Sequence, residues 1–270
     1  MIQQIIIGLI LNTIVAIIAH SRKSLTLYGS LTAVIIGLVI FVGAGGFSWI
    51  LLTVFFISSS IITHIKKSYK SKLSSEYKKS RRDYIQVIAN GAVPAIFSII
   101  YFYTNSQAAL LTVIATIAAN CSDTWASELG VLSKGKNISI LTFKPIPRGE
   151  SGGVSLWGTI AAAMGSALIA LLYSINLLIN SKLAVQTIII YFIAITIIGL
   201  IGSFIDSILG LTLQARYRDN DNKMTEERKS KKRSNVRISG WQYMTNNMVN
   251  LTTSILTSLI AYGVFAAISK

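Results

Sequence analysis

Negative charge is what this chain has least of. Ten Asp and Glu stand against 25 Lys and Arg in 270 residues, and charged residues of both signs make up only 13%. A soluble domain carries about a quarter, so a soluble enzyme is excluded. A single cysteine, Cys121, cannot close an intramolecular disulfide. Two histidines, His20 and His64, have no third ligand at zinc spacing and read as interfacial residues. There is no P-loop, no dinucleotide-binding fingerprint and no protein-kinase signature, so a nucleotide has to be held by some other constellation. What is abundant is apolar: hydrophobic residues are 52% of the chain, arranged in runs of about 20, the length that spans a bilayer. The net charge of +15 sits in connections between those runs, where membrane topology requires it, and nucleic acid is not expected as a partner.

A hydropathy window of about 20 residues places eight spans, at 2–19, 25–43, 46–63, 84–103, 107–132, 152–180, 184–211 and 241–268. The first begins without a basic leader and reads as a span rather than a cleaved signal. Alternation then puts four connections on one face: 20–24, 64–83, 133–151 and 212–240, which hold 23 of the 25 basic residues. Losing or adding one span would scramble this sorting. The expectation is an all-α polytopic membrane bundle, a single integral domain over 1–270, with the basic face cytoplasmic and both termini outside. The loops 64–83 and 212–240, rich in Lys, Ser and Asn, are expected to be mobile or interfacial, with Arg81, Arg82, Arg148 and Arg237 nearest the spans as phosphate-binding candidates.

Three acids need a reason. Asp123, Glu128 and Asp206 lie within or at the edge of apolar segments, where a carboxylate costs roughly 2.5–3.5 kcal/mol on insertion scales and ordinarily faces the bundle interior. All three fall toward the basic ends of their spans, and so do Asn90, Asn246, Asn247 and Asn250 from two further helices. Acids and amides of four helices therefore meet at one depth. In IGLIGSFIDSILG (198–210), Gly202, Asp206 and Gly210 recur every four residues, which turns Asp206 inward along a small-residue stripe. Asp123 and Glu128 are five apart and point about 140° apart on a straight helix, so both reach one site only if the helix ends or breaks between them. The segment KPIPRGESGGVSLWG (144–158) holds two of the three prolines and opens into a span. Its Gly149, Ser151, Gly152, Gly153 and Ser155 are expected to leave backbone N–H groups open at a helix N-terminus, with Lys144 and Arg148 adding positive charge, a natural phosphate site.

The strings RRDYIQVIANG (81–91), DTWASELG (123–130), PIPRGESGGVSLWG (145–158), GSFIDSILG (202–210) and NNMVN (246–250), in that order and spacing, resemble the integral-membrane family called domain of unknown function 92, or transmembrane protein 19-like. The likeness covers essentially the whole chain. It departs at Asn90-Gly91-Ala92, where a second glycine is expected. The resemblance implies an all-helical membrane protein. One branch of the family holds the phytyl-phosphate kinases, which implies transfer of a phosphoryl group from a nucleoside triphosphate to a prenyl or phytyl monophosphate, giving the diphosphate.

Chemistry then assigns roles. Asp123, Glu128 and Asp206 form the catalytic and metal-binding set for Mg²⁺. Lys144, Arg148, Ser151, Gly152 and Gly153 bind the donor phosphates, and Asn90, Asn246, Asn247 and Asn250 position them. CTP is the expected donor; membrane lipid, the prenyl phosphate and the nucleotide are the expected partners. The rival expectation is a transporter or flippase for an ion or anionic lipid that uses the same carboxylates; the absence of an inverted repeat and the one-sided depth of the acids count against it. A non-catalytic scaffold is disfavoured by the cost of the buried acids.

Overall fold

A computed structural model describes residues 1–65, 81–133, 135–219, 224–230 and 233–268. Among them are seven α-helices: α1 (Ile2–Ser21), α2 (Leu27–His64), α3 (Tyr84–Thr104), α4 (Gln107–Gly130), α5 (Leu156–Asn180), α6 (Val185–Thr212) and α7 (Asn246–Ile268). Six of these, all but α4, are long and apolar enough to cross a membrane, and the chain is a polytopic helical membrane protein. Side-chain caps set four of the starts. Thr26, Ser106 and Ser155 accept the first free N–H groups of α2, α4 and α5, and Asp83 with Gln86 closes a reciprocal capping box at α3.

Helix α2 is a hairpin. Its backbone breaks at Gly45 (φ 86°, ψ 163°), a conformation that only glycine adopts without strain. Residues on both sides of the break meet the same partners. Asn12 presses against Gly37, and its Oδ1 accepts from Trp49 Nε1 at 2.9 Å. Thr26 N donates to Arg82 O at 3.0 Å, while the Phe55 ring lies 5.8 Å from the Arg82 guanidinium. The halves 27–44 and 46–64 therefore run antiparallel, each about 27–29 Å long at 1.5 Å per residue. Eight membrane-length segments result, as the hydropathy and charge sorting predicts.

Helix α4 is the axis of the bundle. Residues 111–122 are buried without interruption, and α2, α3, α5, α6 and α7 all pack on it. A helix that touches no lipid has no need of Ile and Leu on every side. Its Ala, Ser, Thr and Asn keep it short of the apolarity of a lone span and let neighbours approach closely. Gly165 of α5 sits against the Cys121 carbonyl, and Gly202 of α6 against Ala119. By contrast, α1 buries only Gly8, Asn12, Ala16 and Ala19, one stripe at spacings of three and four residues, and exposes its isoleucines. Pro94 inside α3 lacks the N–H that would bond the Asn90 carbonyl. Asn120 Nδ2 of α4 donates to that freed carbonyl at 2.7 Å, and Asn120 Oδ1 accepts from Ser254 of α7 at 3.0 Å.

On the basic face lie two short antiparallel pairs and a small sheet. β1 (Ile138–Ser139) pairs with β2 (Gly153–Val154). β3 (Arg216–Arg218) lies between β4 (Met224–Thr225) and β7 (Val236–Ser239), while β5 (Lys229–Ser230) pairs with β6 (Arg233–Ser234). Of the loop over 212–240, expected to be mobile or interfacial, the described residues form this sheet on the basic face, with Ala215 and Tyr217 buried. In the other basic loop, 66–80 lie outside the described residues. Two helix starts are corrected. α5 begins at Leu156 rather than 152, because Gly152 (φ 81°) and strand β2 precede the Ser155 cap, and α7 begins at Asn246 rather than 241.

Candidate functional site

At the basic end of the bundle a cavity of about 240 Å³ is lined from the ends of α2 through α7 and from the 148–155 loop. Ten of the twelve predicted site residues face it: Asn90, Asp123, Glu128, Arg148, Ser151, Gly152, Gly153, Asp206, Asn246 and Asn250. Lys144 is exposed on the turn between β1 and β2, and neither it nor Asn247 is part of the lining. Arg81 and Arg237 are exposed away from the cavity, whereas Arg82 lines it.

Helix α4 runs unbroken to Gly130, which overturns the condition that it must end between Asp123 and Glu128. Both acids reach the cavity because the cavity wraps the end of this central helix, touching Asp123, Thr124, Ala126, Ser127, Glu128 and Gly130 in turn. Asp206 accepts from Thr253 Oγ1 at 3.1 Å. The Asn250 amide, in the orientation that satisfies its neighbours, donates to Asp206 Oδ2 and to the Asn246 carbonyl, each at 3.1 Å. The α7 asparagines thus hold the α6 carboxylate in place. Glu128 accepts from Thr63 Oγ1 of α2 at 2.7 Å and faces the Arg82 charge. Burial pulls the Arg82 pKa below its ordinary value and Glu128 pushes it back; a guanidinium in this position remains charged.

In the glycine-rich segment two of the backbone N–H groups are engaged internally: Gly153 N donates to Glu150 O at 3.1 Å and Ser155 caps Gly158 N. Gly152 is required where it stands. At φ 81° its Cα packs on α6, and a Cβ would lie 2.4 Å from Leu211 Cβ. Arg148 Nη2 donates to the Gly135 carbonyl at 3.3 Å.

Two residues that sequence reasoning passed over fasten this segment. Arg216 pairs with Glu150 at 3.0 Å, donates to Ser151 O at 2.8 Å and reaches the Gly210 carbonyl at the end of α6 at 3.2 Å. Ser151 Oγ donates to Glu226 Oε1 at 2.5 Å, and Glu226 lies within electrostatic reach of Asp206. Burial raises the Glu226 carboxyl above the ordinary range, against the opposing pull of Ser151, Gln214 and Arg216. In a loop dense with Lys and Arg, neither Arg216 nor Glu226 carries a local signal. Thr253, three residues after Asn250 and so on its face of α7, does.

Among the described residues no three His, Cys, Asp or Glu side chains converge as a ready ligand set. That argues against an all-protein cage. The lining nevertheless suits Mg²⁺, which takes hard oxygen ligands, keeps several waters and is carried by one or two carboxylates together with substrate phosphates; Asp123, Glu128, Glu150 and Asp206 are the carboxylates in it, with Glu150 paired to Arg216 and Glu128 facing Arg82.

A family model described as integral membrane protein DUF92 matches residues 10–258. Protein PGR of Arabidopsis thaliana is 31% identical over 287 aligned positions, covering 97% of this chain and 98% of that protein. An uncharacterized membrane protein of Synechocystis is 26% identical, covering 96% of this chain and 90% of its own length. Protein VTE6, chloroplastic, also of Arabidopsis thaliana, is 27% identical across 53% of this chain and 44% of its own. No solved structure matches.

Proposed function

The chain belongs to the DUF92 family of integral membrane proteins, and from that premise we propose that it is a membrane-embedded phosphotransferase, transferring the terminal phosphoryl group of a nucleoside triphosphate, CTP first, to a prenyl or phytyl monophosphate. The observation that carries this reading is the gathering of Asp123, Glu128 and Asp206 with Arg82 and Arg148 around one cavity at one end of the bundle. A phosphate oxygen of the acceptor attacks the γ-phosphorus, the bond from that phosphorus to the bridging oxygen breaks, and the nucleoside diphosphate leaves with the electron pair. The acceptor is already ionised near neutral pH, so no strong base is needed, and positioning with charge neutralisation does the work.

Mg²⁺, held by Asp123 and Asp206 with the phosphates, would neutralise charge on the transferring group. Asn250 and Thr253 keep Asp206 oriented. Glu128, expected to assist the metal or orient the attacking phosphate oxygen, accepts from Thr63 and faces the Arg82 charge, which suits it also to orient Arg82. Arg148 and the 149–153 backbone attend the donor phosphates.

Purified protein in detergent should transfer label from γ-labelled CTP to phytyl monophosphate in Mg²⁺. Asp123→Asn or Asp206→Asn should abolish it. Substrate movement in sealed vesicles without nucleotide turnover would overturn the reading in favour of a transporter. The basic face is proposed as cytoplasmic on its charge. Because Cys121 is buried, Lys144→Cys supplies a single reactive thiol that should be labelled only from that side.

A further inference from the structure

A second cavity, of about 90 Å³, adjoins the first on the side away from α5 to α7. It is lined by α1, both halves of α2 and the start of α3, and its walls are apolar: Ala16, Ala33, Ile36, Leu52, Phe55 and Phe56 face it. Three residues, Arg82, Gln86 and Asn90, line both cavities. The polar and apolar spaces are therefore neighbours across one shared wall, whose cation is flanked by the Phe55 and Phe56 rings at 5.8 and 5.5 Å.

We propose that the apolar cavity seats the head-proximal stretch of an anionic isoprenoid-type chain, with the Arg82 guanidinium gripping its phosphate where the two spaces meet. This deepens the reading above and rests on it for the identity of the amphiphile. Charge complementarity selects the occupant. A planar guanidinium against aromatic rings, at the rim of an apolar slot, matches a phosphate that carries an apolar tail, whereas a neutral lipid offers that cation no anion beyond Glu128. The slot has a floor. Trp49 Nε1 donates to Asn12 Oδ1 at 2.9 Å, and Asn12 Nδ2 donates back to the Gly8 carbonyl at 2.8 Å. From Phe56 to Trp49 is seven residues of helix, about 10 Å, so the slot takes the first part of a long tail and the remainder lies in lipid.

The test uses the full chain in detergent, with Trp125, Trp157 and Trp241 replaced by Phe so that Trp49 reports alone. A prenyl monophosphate brominated along its chain should quench Trp49 saturably, and unlabelled prenyl monophosphate should compete. The brominated neutral alcohol should bind at least tenfold more weakly, and Arg82→Met should erase that preference. Ala33→Phe, which fills the slot, should weaken the quench at least tenfold, with retained CTP binding certifying the fold. Quenching that ignores both the head group and Ala33→Phe would overturn the proposal. If the single-tryptophan chain does not fold, a prenyl phosphate bearing a photoreactive chain on the unaltered protein should label α2 and α3, and labelling confined to α6 and α7 would overturn it equally. Intact quenching without phosphoryl transfer would sink the kinase reading alone; transfer without quenching or α2 labelling would sink the slot alone.

Discussion

The polar cavity and the apolar slot share Arg82, Gln86 and Asn90, yet different parts of the chain build them. α4, α6, α7, the 148–155 loop and Gln214 supply carboxylates, amides and charges to the first, and α1, α2 and α3 supply isobutyl, phenyl and methyl groups to the second. The cavity is polar because it sits where helices end and water reaches. The slot is apolar because it lies alongside helices within the depth of the bilayer. Setting them against a common wall puts a polar and an apolar space side by side, with Arg82 lining both.

That division can be broken from either side. The largest effect is expected from Asp206→Asn, which should lower phosphoryl transfer by at least about a hundredfold, the scale of losing one preorganised electrostatic group, while leaving chain binding measured by Trp49 quenching in place. Next, Arg82→Met should lower transfer and phosphate binding together by roughly ten- to a hundredfold, since it removes hydrogen bonds from a charged group worth about 1.5–3 kcal/mol. It is the substitution that should disturb both spaces. Gly152→Ala should leave the slot untouched and destabilise the cavity wall by about 1–3 kcal/mol through left-handed backbone strain and the clash with Leu211, read as a fall in the detergent melting temperature. Asn12→Leu does the opposite, removing the acceptor of Trp49 at the slot floor for about 1 kcal/mol, with transfer to a short-chain acceptor retained.

The smallest effect concerns pH. Because burial raises the Glu226 carboxyl in the folded state, the closed loop binds that proton more tightly than the open one. Closure is therefore held best below the ordinary carboxylate value and loosens as pH rises through the raised value. Protection from hydrogen exchange over 215–219 and 224–230, relative to the intrinsic rate at each pH, should fall along that rise, and Glu226→Gln should flatten the dependence.

Much of this was legible beforehand, for reasons that differ by residue. Asp123 and Asp206 stood out because a lone carboxylate in an apolar run has so few bland explanations. The α2 hairpin was legible because Gly43 to Gly46 interrupt hydropathy at the midpoint and because the basic residues sort only if the chain turns there. Arg216 and Glu226 were not legible, since a loop crowded with Lys and Arg makes every charge look like topology. Asn120 was missed because its partner is a carbonyl freed by Pro94 on another helix, and no local pattern announces that.

Sequence alone determined the membrane class, the eight segments, the face on which the polar groups gather and the acids worth suspecting, because the bilayer's length and its intolerance of unpaired charge act on each segment separately. Tertiary structure alone decided that the cavity wraps the intact end of α4, that Glu128 turns to Arg82 and Thr63, that Arg216 fastens the glycine segment to α6, and that an apolar slot opens against the same wall. Each of these depends on the distance between helices remote in the chain, and no residue's own neighbourhood carries that distance.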